Sequence, residues 1–214
     1  MTNTKNKMNE FSVALGLFDY INPIFYAITA ITIFINMIGT MKQPLLIIFA
    51  LGAILSLIFG LSIPTVKLLV GLGKFPFKMP VNLVFYVNCG ILLSGLSLFA
   101  YVFDVSVSIV LAIILCVLLV LGLIYYKTKK FNTVAVLIGA VGYILIYSTL
   151  ISLAIKTNVT ISCILYIFAI CLFVFLCCVG IFANLKNPKV HWIIEICNVI
   201  CQGSVAVSTL LLFK

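Results

Sequence analysis

Long apolar runs separated by short polar breaks set the pattern of this chain. Reading for runs interrupted by Lys, Pro, Asn or Asp gives seven stretches: residues 24–40, 45–66, 81–103, 105–126, 133–155, 160–183 and 190–213. A helix rises about 1.5 Å per residue, so about 20 apolar residues cross the roughly 30 Å hydrocarbon core of a bilayer. Each run therefore predicts a membrane-spanning helix. Asn22-Pro23 reads as the start of the first, because Pro in a first helical turn sacrifices no hydrogen bond. Residues 1–20 are expected at the cytoplasmic face, with residues 11–20 lying in the interface as a short amphipathic helix. The third and fourth runs meet at Asp104 and must form a tight helical hairpin.

The ends of these runs carry the charge. Lys5, Lys7, Lys67, Lys74, Lys78, Lys127, Lys129, Lys130, Lys186 and Lys189 fall on the side of the N-terminus, and only Lys42, Lys156 and Lys214 on the other. Lysine concentrates in cytoplasmic loops, so the expected topology is all-α, with the N-terminus cytoplasmic and the C-terminus external. Residues 1–214 form a single transmembrane domain in the cell membrane, plasma or inner. Composition agrees: 65% of the 214 residues are hydrophobic and 8% charged, too few charges to cover a soluble surface. The net charge of +9 is thus a topological signal, not a nucleic-acid footprint. No Arg is present to build a bidentate anion clamp.

Small residues recur at helical spacing and read as packing devices. Gly52, Ser56 and Gly60 form a ridge on the second run, Gly90, Ser94 and Ser97 on the third, and Cys197, Cys201, Ser204 and Ser208 on the seventh. Pro64 is expected to kink the second. The eight cysteines all lie within apolar runs without a CxxC pair, and His191 is the one histidine, so neither a metal nor another cofactor is expected. The fourth run is aliphatic on every side from Ser108 to Tyr125 apart from Cys116, which marks a lipid-facing linker. A 3+1+3 arrangement follows, in which spans one to three and five to seven run in the same direction.

Candidate chemistry is concentrated in the last span. His191, Glu195, Asn198, Gln202 and Thr209 fall within about 60° of one another on a helix, broken only by Val205. Glu195 is the acid placed well inside a span, where an ionised carboxylate is costly unless a cation or donors stabilise it. Asp19 and Asp104 are expected on opposite sides of the membrane, neither within reach of Glu195. Asn82 and Tyr86 on the third span, Asn36 on the first (with Asn22, Thr29 and Thr40), and Tyr143 and Tyr147 on the fifth offer further polar surface. Clustered acids, GxSxG and HExxH are missing, which argues against an enzyme.

Two functions fit. The first is a transporter or channel-like protein for a small neutral or cationic solute, coupled to protons through Glu195. The second is a non-catalytic accessory, immunity or sensor subunit whose polar faces bind partner helices, from another subunit or a second copy. A carrier requires a polar cavity reaching the membrane midplane between the first, third and seventh spans. A partner-binding subunit requires those stripes to interlock.

Overall fold

The computed structural model describes residues 12–74, 81–128, 131–182 and 188–214. Eight helices and no strand occur among them: α1 (Val13–Asp19), α2 (Ile21–Met37), α3 (Gln43–Gly71), α4 (Val81–Val102), α5 (Val107–Thr128), α6 (Phe131–Lys156), α7 (Thr160–Phe182) and α8 (Pro188–Leu212). Six helical segments are long and apolar enough to cross a membrane, with α1 and α2 together forming the first, Val13–Met37. The described apolar stretch of α5 is shorter, Val107–Val117.

Local chemistry explains the breaks. Ser12 caps α1, its side chain accepting a hydrogen bond from the Leu15 amide at 3.1 Å. Pro44 stands in the first turn of α3, where its missing N–H is no loss. Asp104 and Asn158 turn the chain after α4 and α6 with positive φ of 50° and 59°, a conformation that short polar side chains tolerate. Asp104 makes the expected tight hairpin, and its carboxylate meets Lys42 at 3.2 Å on the exposed end of the bundle.

The first span differs from its expectation. The helix begins ahead of Asn22-Pro23, and α1 packs one face against the protein: Leu15, Gly16 and Asp19 are buried. A Cβ added at Gly16 would lie 2.8 Å from the Leu68 backbone nitrogen, so α1 is pressed onto the end of α3. Phe18 meets Trp192 of α8 at 5.7 Å between ring centroids. A 3.6-residue period shows that a helix has an apolar face, but not whether lipid or protein covers it.

Six helices contact in a closed ring, α2–α3–α4–α6–α7–α8 and back to α2, while α5 stands outside against α4 and α6. Its outward residues, such as Leu115 and Leu119, are exposed, as a lipid-facing helix requires. One contact recurs in two helix pairs of the ring. Ser97 on α4 donates to the carbonyl of Leu45, two residues into α3, and Ser208 on α8 donates to the carbonyl of Ser162, two residues into α7.

Backbones approach closely where the sequence places small residues. A Cβ at Gly52 would lie 2.6 Å from the Gly90 carbonyl oxygen, and one at Gly142 would lie 2.7 Å from the Leu92 nitrogen. Ser56 donates to the Val87 carbonyl at 2.9 Å, and Asn88 to the Ala135 carbonyl at 2.8 Å. Gly60 breaks the expected ridge. Its added Cβ would meet only Pro23 Cβ, at an ordinary 3.8 Å, because here α3 faces a cavity.

Candidate functional site

The cavity has a volume of about 470 Å³ and opens inside the ring toward the end that carries α1. Its lining comes from Asp19 of α1, Asn22 and Tyr26 of α2, Ser56, Gly60 and Lys67 of α3, Val87 and Ile91 of α4, Tyr143 of α6, and His191, Glu195, Asn198 and Gln202 of α8. Ser56 and Gln202 lie near the midpoints of helices Gln43–Gly71 and Pro188–Leu212, so the polar lining penetrates about half the depth of the bundle. The polar stripe of α8 faces this space from His191 to Gln202. Thr209 lies beyond it and bonds the Tyr166 hydroxyl at 2.9 Å.

Glu195 is not the lone acid of the interior. Lys67 places its ammonium 2.7 Å from Asp19 Oδ2 and 2.5 Å from Glu195 Oε1. The Asn22 amide donates to the other oxygens of the same two carboxylates, at 2.9 Å to Asp19 Oδ1 and 3.2 Å to Glu195 Oε2. Two acids are thus clamped between one ammonium and one amide, and Asp19, Lys67, Glu195 and Asn22 are only 5%, 8%, 6% and 8% exposed. The clamp also joins three parts of the fold: the α1–α2 junction, the end of α3 and the first turns of α8. The Asn22 Oδ1 atom is buried beside it without a hydrogen-bond partner.

The expected separation of Asp19 from Glu195 is therefore overturned. Asp19 belongs to a buried helical junction. Lys67 was counted among the loop lysines because its apolar run ends at Val66, yet α3 continues to Gly71. A helical signal for both residues is present in the sequence. Ser56, Gly60, Ile63 and Lys67 are spaced by four, three and four, and Asp19, Asn22, Tyr26 and Thr29 by three, four and three.

Below the cavity the path narrows. Tyr26, Tyr143 and Gln202 border both the cavity and a second chamber of about 20 Å³, space for a water molecule. Ile33, Phe49, Leu98, Ile146 and Val205 make that chamber largely apolar, and Tyr147 lines it without reaching the larger cavity. The Tyr147 hydroxyl lies 3.7 Å from Cys201 Sγ, and its ring packs 5.6 Å from that of Tyr143.

The remaining candidates point elsewhere. Asn36 is exposed and donates to the Thr32 carbonyl of its own helix at 2.9 Å. Tyr86 is 42% exposed and stacks on Phe59 at 4.7 Å, away from the cavity lining. The side chain of Asn82 lies outside the described residues. Among the described residues, no group of three or more His, Cys, Asp or Glu could hold a metal ion.

Comparison with known protein families, with curated proteins and with solved structures finds no match to this chain.

Proposed function

We infer that this chain is a seven-span carrier for a small neutral or cationic solute, with α5 as the fourth span and the linker of a 3+1+3 repeat. The observation that carries this reading is the half-depth polar cavity at the centre of the ring, ending at Tyr26, Tyr143 and Gln202 with an apolar chamber beyond. A solute site open from one side and closed toward the other is what alternating access requires. The paired hydrogen bonds at Ser97 and Ser208 support the repeat, since they join equivalent helices of the two halves.

Charge supports the orientation. With Lys67 buried, nine lysines (Lys5, Lys7, Lys74, Lys78, Lys127, Lys129, Lys130, Lys186 and Lys189) remain against Lys42, Lys156 and Lys214. The bias still favours an N-terminus in the cytoplasm, a C-terminus outside and a cavity mouth on the cytoplasmic side of the cell membrane. A partner-binding subunit would interlock its polar stripes, whereas those of α2 and α8 meet at the charged clamp and then diverge around open space.

Glu195 couples transport to protons in this reading. Purified protein in liposomes, challenged with a panel of small solutes under an imposed pH gradient, tests it. Uptake should depend on pH in the wild type, and Glu195→Gln should remove that dependence while the protein remains folded and inserted. Wild-type pH dependence in the variant would eliminate Glu195 as the coupling group.

A further inference from the structure

The buried clamp holds two carboxylates and one ammonium, so it carries a net negative charge when both acids are ionised. A net charge in a low-dielectric interior is costly, and one monovalent cation bound beside it restores neutrality. The adjoining cavity has room for more than a proton, about 470 Å³. The unpartnered Asn22 Oδ1 is an acceptor, buried at the same place. Asn198 and Gln202 add amide groups to the wall, and Tyr26 and Tyr143 border its inner end.

We propose that the solute is a small primary organic ammonium ion, and that it and a proton alternate as the charge that neutralises the Asp19–Lys67–Glu195 clamp. The ammonium donates its N–H groups to the carboxylates at the cavity wall, with its organic part directed toward Tyr26 and Tyr143. Binding to the protonated clamp releases one proton from a carboxyl group to bulk water. Return of that proton expels the ammonium, so the cycle exchanges one cation for one proton. Other titratable groups facing the clamp or cavity are Tyr26 of α2, Tyr143 of α6 and His191 of α8; α4 contributes Val84, Val87 and Ile91, which do not titrate. The exchange cycle rests on the carrier reading, but the binding site does not.

Calorimetric titration of the full chain in detergent with 2-hydroxyethylammonium, at a series of pH values, separates the two. One site is expected, with an apparent Kd that rises up to tenfold per pH unit on the acid side and one proton released per ligand. Ethylene glycol, glycolate and tetramethylammonium serve as neutral, anionic and N–H-free counterparts and should each bind at least tenfold more weakly. Glu195→Gln should lose most ammonium binding, because Asp19 and Lys67 then balance. His191→Gln should retain the pH dependence. Equal binding of ethylene glycol or tetramethylammonium would overturn the proposal, as would a pH-independent Kd or loss of the pH dependence in His191→Gln. Ammonium binding without flux in liposomes would uphold the site and remove the carrier reading. Flux of a neutral solute without ammonium binding would do the reverse.

Discussion

Replacing Lys67 by Met is the sharpest test of the clamp. The variant keeps a long apolar stem but deletes an ammonium that contacts carboxylates at 2.7 and 2.5 Å. At an effective dielectric of about 20, each contact is worth about 6 kcal/mol of Coulomb attraction. Most of that is offset by the desolvation of the ammonium itself. Removing one partner from a buried ionic cluster typically costs about 3–5 kcal/mol, because the remaining charge is stranded. Here two carboxylates are stranded together, with the Asn22 amide bridging them. Thermal unfolding in a mild detergent should show Lys67→Met melting about 10 °C lower than wild type near neutral pH. The deficit should shrink as the pH falls, because a proton on either acid relieves the repulsion. Lys67→Met combined with Asp19→Asn and Glu195→Gln should recover most of the loss, since an uncharged hydrogen-bonded set breaks even with an ion cluster. A single variant within about 2 °C of wild type, or a triple variant no better than the single one, would refute the argument that these charges depend on one another.

Two further outcomes follow from packing and topology. Gly52→Ala should lower stability in detergent by about 1–3 kcal/mol, since the new methyl meets the Gly90 carbonyl and Ser94, whereas Gly60→Ala should be nearly silent beside the cavity; equal effects would mean that the α3–α4 contact does not depend on Gly52. Single cysteines on a cysteine-free background at positions 74 and 157 should label from the cytoplasm and from outside, respectively, and external labelling at 74 would reverse the orientation.

The apolar runs determined by themselves that the chain is an assembly of membrane-length helices, because helix length follows directly from bilayer thickness. The α8 stripe was equally legible: residues 191, 195, 198 and 202 share a face whatever the neighbours are, and all of them line the cavity. Small residues announced close contacts at Gly52 and Gly90 but misled at Gly60, since a missing side chain permits a close neighbour or an open space with equal ease. The charged clamp was the part that tertiary structure decided. Lys67 read as a loop lysine and Asp19 as interfacial because polarity marks helix ends in membrane proteins only on average. Their burial depends on α3 running past Val66 and on α1 folding against it, so that Asp19 and Glu195, 176 positions apart, face one ammonium. Asn36 and Tyr86 lie outside the cavity lining for the complementary reason. Helical periodicity gives the angle between residues on one helix, and only packing decides which angle faces inward.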